Sequence, residues 1–158
     1  MGGSCRLLKA TVSGGEPIAD IGVKRATLQA APASGDVIPR AIDEIPILAV
    51  LATQANGQTV ISDAQELRYK ESDRLSTVRE ELAKMGAHIQ EKPDGLVIEG
   101  PTPLQGTTVQ SHSDHRLAMA LAVAALVAEG PTTIEDVDCV ATSFPTFWTL
   151  LESIRRNS

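Results

Sequence analysis

Aromatic residues are scarce in this chain, with one Trp, one Tyr and two Phe among 158 residues. Its core has to be assembled from the abundant Ala, Val, Leu and Ile, and the length is enough to bury one without disulfide support. Cysteine is scarce as well. Cys5 and Cys139 lie far apart and lack a metal-type spacing, which argues against a disulfide framework and suggests reduced thiols in a cytosolic protein. Positive charge is outnumbered, leaving a formal net charge of −6. Neither nucleic acid nor an anionic membrane is therefore expected as the main partner, and any anion site must be local. No apolar run approaches the roughly 18 residues of a bilayer-crossing helix, and the first residues carry no apolar signal core. A soluble, cytoplasmic protein is expected.

Taken in order, the pattern predicts short strands over 7–12 and 18–23 around the turn Gly14-Gly15, then a polar loop with Pro32. A nearly all-apolar helix is predicted over 42–55, with Pro46 in its first turn, where a missing N–H costs nothing. A strand over 59–61 follows. After Ser72 the apolar residues Leu75, Val78, Leu82 and Met85 fall at helical spacing until Gly86. A hairpin is expected around Pro93-Asp94-Gly95, and an extended stretch over 107–109. Ser113 suits the N-cap of a helix over 114–128, which is apolar on every side and should be buried. Another strand and a last helix from about Pro145 complete the chain. The stretches 57–63 and 130–136 each follow a buried helix and precede an amphipathic one, which reads as an internal repeat. Each unit is a strand, a buried helix, a strand, an amphipathic helix and a hairpin, with the beginning of the first unit expected to be missing. Alternation of this kind favours an α/β class with parallel pairing.

The most informative stretch is Lys70-Glu71-Ser72-Asp73-Arg74-Leu75, charged just where an amphipathic helix begins. Lys70 and Arg74, four apart, would face the same way and repel by a few tenths of a kcal/mol unless an anion lies between them. Helix N-termini attract such anions. In repeated strand-helix units those N-termini gather at one end, which here would hold Asp43, the 70–74 cluster and Asp114-His115-Arg116. Arg116 is the most persuasive cation, because it opens an otherwise buried helix, where an unpaired charge is expensive. Plainer roles remain open: an ordinary solvated first turn for the cluster, a helix cap for Asp43, a dipole partner for Glu71, and an ion pair of Arg116 with Asp114 or Asp43. His112 and His115 flank Asp114, but no third ligand is placed by spacing, so no metal is expected.

The 70–75 run resembles the KE(S/T)DRL signature of the 5-enolpyruvylshikimate-3-phosphate synthase family. Ile42-Asp43-Glu44-Ile45-Pro46 and Ser113-Asp114-His115-Arg116-Leu117-Ala118-Met119 resemble two further segments of that family, in the same order and spacing. The resemblance runs from about Gly15 onward and covers only the C-terminal part of a longer family chain. It implies an inside-out α/β barrel of repeated βαβαββ units with buried central helices. Within a single domain, 1–158, it implies an incomplete unit over 1–14 and repeat units over 15–99 and 100–158. The implied reaction transfers the enolpyruvyl group of phosphoenolpyruvate to the 5-hydroxyl of shikimate 3-phosphate, releasing phosphate, in aromatic amino-acid biosynthesis, without a cofactor.

By the same resemblance Asp43 binds shikimate 3-phosphate and accepts a proton, Glu71 is the acid, Lys70 contacts the shikimate substrate, and Arg74 and Arg116 hold phosphoenolpyruvate. His115 belongs to the motif. Thr142 occupies a place where some relatives carry a phosphoenolpyruvate-binding Lys, a departure that suggests a different branch. The missing N-terminal portion of the synthase is the implied partner, so this chain is expected to be inactive alone and to need that portion to bind glyphosate well. Two alternatives stand beside this reading: a fragment of UDP-N-acetylglucosamine enolpyruvyl transferase, which lacks the Lys-Glu-Ser-Asp-Arg pattern, and a non-catalytic association module.

Overall fold

The computed structural model describes residues 1–156. It opens with an antiparallel hairpin, β1 (Ser4–Ser13) and β2 (Glu16–Lys24), longer than the expected strands. Gly14 and Gly15 both take positive φ, 61° and 89°, the turn whose twist matches that of the strands. Leu7 lies opposite Ile21 and Cys5 opposite Val23 on one face, yet Leu7, Ile21 and Val23 are all exposed. Among the described residues this sheet has two strands only.

The next part runs α1 (Val37–Ala41), a 3-10 turn at Ile42–Glu44, α2 (Ile45–Thr53) and β3 (Gly57–Ile61). A 3-10 turn at Gln65–Tyr69 leads to α3 (Arg74–Lys84), then β4 (His88–Lys92) and β5 (Gly95–Gly100). After β6 (Thr108–Gln110) come α4 (His115–Ala125), β7 (Thr133–Glu135), a 3-10 turn at Val137–Thr142 and α5 (Phe147–Arg156). Pro46 sits in the first turn of α2 as the sequence predicts. That helix nevertheless starts three residues later than expected, after the 3-10 turn. Asp114, not Ser113, caps α4: its side chain accepts from the Arg116 and Leu117 N–H groups, while Ser113 holds φ at 57°, outside the helix.

The expectation of parallel pairing is met only in part. β6 and β7 are parallel, as are single bridges at Gln29–Asn56, Ala33–Ile61 and Gln105–Glu129. The larger sheets are antiparallel, with β5 between β3 and β4. The reason is the short turn between β4 and β5, since strands joined so tightly must run in opposite directions. The segment around Pro32, predicted as a loop, lies beside β3, where Ala33 donates to the Val60 carbonyl and accepts from Ser62 N–H.

The core joins Ile38 and Ile45 to Leu75 and Leu82 of α3, Leu96 and Ile98 of β5, and Leu117 and Leu121 of α4. β5 reaches the end of α2 through Gly100, where a Cβ would lie 2.6–2.8 Å from the Ala52, Thr53 and Ala55 carbonyl oxygens. Any larger residue would push the sheet off the helix. The span 114–128 is not buried throughout, contrary to expectation. Leu126 and Val127 just past the end of α4 are exposed, as is Leu51 of α2. A cavity of about 440 Å³ lined by Ile47, Leu48, Leu51, Val123 and Val127 runs between the two helices. No helix among the described residues is long and apolar enough to cross a membrane.

Candidate active site at the converging helix starts

The starts of α2, α3 and α4 meet in one ion-pair cluster, because each carries short polar side chains that satisfy free helical N–H groups or face one another. Asp73 caps α3 by accepting from Ser76 N–H at 3.2 Å. Asp114 does the same for α4 with Oδ1, 2.9 Å from Arg116 N and 3.3 Å from Leu117 N. Its other oxygen accepts from Arg74 Nε at 2.7 Å and from Ser72 Oγ at 3.0 Å. Arg74 is 1 % exposed and Asp114 0 %.

Arg74 is shared among three carboxylates. Besides Asp114, its Nη1 donates to Asp43 Oδ1 at 3.0 Å and its Nη2 to Glu71 Oε2 at 2.7 Å. Burial pulls the Arg74 pKa down, but hydrogen bonding and charge from Asp114, helped by Glu71 and Asp43, more than reverse it, so the net shift is upward. For Asp114, burial pushes the pKa up, and Arg74, with the Leu117 N–H and Ser72, brings it below the ordinary carboxylate value. Both groups are charged at neutral pH, a buried pair whose geometry satisfies its polar atoms.

Around this pair lies a more open layer. Lys70 Nζ is 3.0 Å from Glu66 Oε1 and 3.9 Å from Asp43 Oδ1. Arg116 Nη1 donates to Glu44 Oε1 at 2.9 Å and to the Asp43 carbonyl at 3.1 Å, with Nη2 3.6 Å from Asp43 Oδ2. His115 Nδ1 is 4.0 Å from Glu71 Oε1. A cleft of about 200 Å³, lined by Asp43, Glu44, Arg116, Met119, Phe144 and Phe147, opens beside Arg116.

Six of the residues singled out in the sequence therefore come together: Asp43, Lys70, Glu71, Arg74, His115 and Arg116. Thr142 does not join them; its hydroxyl donates to the Cys139 carbonyl at 2.7 Å within its own turn. Several expectations change in detail. Lys70 precedes α3 in an extended conformation, so it and Arg74 do not share a helix face. Both instead approach Asp43 Oδ1, which takes the place expected for an anion. Asp43 caps no helix, and Arg116 pairs with Glu44 and Asp43, not with Asp114. The burial argument made for Arg116 belongs to Arg74, because the Arg116 side chain is 31 % exposed. His112 and His115 diverge, with His112 Nε2 2.7 Å from Glu81 Oε1. Glu80, Glu81 and His112 place ligand atoms within 4.8 Å of one another, but Lys84 Nζ sits on both carboxylates at 3.1 and 2.8 Å and supplies the positive charge. The sequence reading missed Glu66, although its spacing four residues before Lys70 is the helical ion-pair spacing. The motifs contain Glu44, Ser72 and Asp114, but the sequence assigns no role to Glu44 or Ser72 and does not show that Asp114 reaches Arg74.

The family model for EPSP synthase (3-phosphoshikimate 1-carboxyvinyltransferase) matches residues 5–151. The chain belongs to the EPSP synthase family. Membership extends further towards the N-terminus than the motifs suggested, taking in the β1–β2 hairpin. A 3-phosphoshikimate 1-carboxyvinyltransferase of Thermodesulfovibrio yellowstonii is 52 % identical over 157 residues, covering 99 % of this chain and 36 % of the relative. One from Gloeobacter violaceus is 57 % identical over 142 residues, covering 90 % and 33 %. The chain thus spans about a third of the length of the curated relatives it matches. The solved EPSP synthase of Acinetobacter baumannii superposes with a TM-score of 0.91 at 42 % identity, over 96 % of this chain and 36 % of that one. The enolpyruvyl transferase NikO of Streptomyces tendae superposes at 0.64 with 22 % identity, over 94 % and 32 %, and shares the fold. The enolpyruvyl transferase-like α/β architecture expected from the motifs is the one this family adopts.

Proposed function

We propose that this chain carries one part of an active site that transfers the enolpyruvyl group of phosphoenolpyruvate to the 5-hydroxyl of shikimate 3-phosphate, with release of phosphate. The observation that carries the reading is the meeting of Asp43, Lys70, Glu71, Arg74 and Arg116, brought together across 31 residues for Asp43 and Arg74 and 73 for Asp43 and Arg116. Such a reaction needs a base for the attacking hydroxyl, an acid for the methylene carbon, and cations for carboxylate and phosphate. In this reading Asp43 binds the shikimate substrate with Lys70 and takes the hydroxyl proton. Glu71 delivers a proton to the methylene, and Arg74 and Arg116 hold phosphoenolpyruvate through parallel guanidinium hydrogen bonds. Substrate then replaces carboxylates now resting on those cations.

Charge balance supports a need for more of the parent protein. Lys70, Arg74 and Arg116 are three cations facing the five carboxylates of Asp43, Glu44, Glu66, Glu71 and Asp114. A cluster with that surplus of negative charge repels two anionic substrates unless further cations are added. We assign those cations to the remaining portion of the cytoplasmic parent enzyme, and the same argument extends to glyphosate as a competitor of phosphoenolpyruvate. We take the chain as one domain, 1–158, with an incomplete unit over 1–14 and repeat units over 15–99 and 100–158; the β1–β2 turn lies at the first of these boundaries.

Phosphate release from phosphoenolpyruvate and shikimate 3-phosphate is the test, run on this chain alone and after mixing with the N-terminal portion of a family member. Turnover is expected only in the mixture and should vanish with Asp43→Ala. Turnover by the chain alone would overturn the divided-site reading. A second reading, a purely associative module, draws on the exposed apolar face of β1–β2 and the open groove between α2 and α4. It would gain if the mixture forms a stable complex that releases no phosphate.

A further inference from the structure

We infer that Glu81 is a positioning residue for Arg74, acting through the turn at 111–114 that connects β6 to α4. The inference rests on the reading of Arg74 as an anion-binding residue only for its functional consequence; its physical content concerns two side chains on one helix.

Arg74 and Glu81 are seven residues apart on α3, two turns and roughly 10 Å along the same face. Both are buried, and both point at the same passing segment. Arg74 holds Asp114 at its far end. Glu81 holds the near end, with Oε2 accepting from Gln110 N–H at 3.0 Å and Oε1 2.7 Å from His112 Nε2. Residues 111–114 form a tight turn closed by the Asp114 N–H donating to the Ser111 carbonyl at 3.0 Å, so fixing Gln110 and His112 on Glu81 leaves the chain little freedom before Asp114. The helix thereby sets where Asp114 sits.

The turn between the anchors would not hold its shape unaided. His112 and Ser113 both have positive φ, 53° and 57°, a strained conformation for a non-glycine residue that persists only where the surroundings over-determine it. The surroundings do so from two sides. Asp136, after β7, accepts from Ser111 Oγ through its carbonyl and from Ser113 Oγ through Oδ2, while Ser113 N–H donates to Ser111 Oγ at 3.1 Å. Glu81 supplies the other side. Burial pushes the Glu81 pKa up, but Lys84, Gln110 N–H and His112 bring it below the ordinary value, so the anchor is ionised.

The test reads Arg74 directly, by ¹⁵N NMR of the Nε–Hε group in this chain, assigned through its loss in Arg74→Lys. In Glu81→Leu the Hε is expected to exchange with water at least about tenfold faster, and its resonance to move towards that of solvent-exposed arginines. Glu81→Gln, which still accepts from Gln110 N–H, should restore part of the difference. Leu96→Ala, a core truncation in β5, serves as the control for general loosening and should leave the chemical shift in place. An unmoved Arg74 signal in folded Glu81→Leu would overturn the inference, as would an equal movement in Leu96→Ala. Should Glu81→Leu fail to fold, His112→Ala, which removes one of the two contacts through which Glu81 holds the turn, decides: a moved Arg74 signal supports positioning and an unmoved one refutes it. The signal is read without ligand, so failure of the enolpyruvyl-transfer reading would leave this result untouched, and the reverse holds too.

Discussion

Arg74 and Arg116 open neighbouring helices and share Asp43, yet one is sealed from water and the other is not. Arg74 lies on a fully buried carboxylate and is aligned by Asp114, Glu71 and Asp43. Arg116 leans on Glu44 and Asp43 at the edge of a cleft, with nearly a third of its side chain exposed. The same residue type at the same kind of position thus rests in two different environments. The inner pair sets geometry and is costly to break from one side, because an unpartnered charge would remain in a dry environment. The outer layer is exchangeable, since water and ions compete for every contact it makes.

The largest way to break this contrast is Asp114→Ala. It removes the α4 cap and leaves Arg74 buried without its main partner, so a loss of roughly 3–5 kcal/mol is expected in urea unfolding. Asp114→Asn sharpens the result by keeping an acceptor for the Arg116 and Leu117 N–H groups while deleting the charge. The gap between the two substitutions then measures the cap, worth about 0.5–2 kcal/mol.

A pH series separates the layers next. The folded Asp114 pKa is depressed, so its contribution to stability is complete above the unfolded carboxylate value of about 3.9 and is lost as pH falls through the lower folded value. Acid unfolding below about pH 4 should be shallower in Asp114→Asn than in the parent chain. An unchanged acid limb would show that another carboxylate governs it. The smallest stability effect belongs to Arg116→Ala, expected under about 1 kcal/mol because its partners are solvated. In a reassembled enzyme the same change should nevertheless abolish phosphate release, and a variant as active as the parent would remove Arg116 from the site.

Much of this was legible in the sequence. Pro46, Gly86 and the turn at Pro93-Asp94-Gly95 mark boundaries near where helices and hairpin fall, because caps and turns act within a few residues. Asp43, Lys70, Glu71, Arg74 and Arg116 were singled out from three short motifs, and all five meet. Less legible was which charge would be buried. Arg116, at the head of the more apolar helix, looked like the buried cation; burial depends on the segment packed above a helix start, and α3 lies under the 110–114 turn. The strand directions also escaped, since alternation of strands and helices does not show that a hairpin adds to a sheet through its second strand.

What the sequence by itself determined is the set of local signals: an aliphatic helical periodicity, short polar caps, and charged runs at the heads of α3 and α4. These depend on neighbours a few positions away and are written in order along the chain. Only the tertiary structure decided that Asp43, rather than a bound anion, lies between Lys70 and Arg74, that Asp114 joins a helix cap to a buried guanidinium, and that Glu81 reaches the turn before α4. Each depends on how much water is excluded where segments 27 to 40 residues apart come into contact, and desolvation, which sets the strength of every charge there, is a property of the packed surface and not of the local sequence.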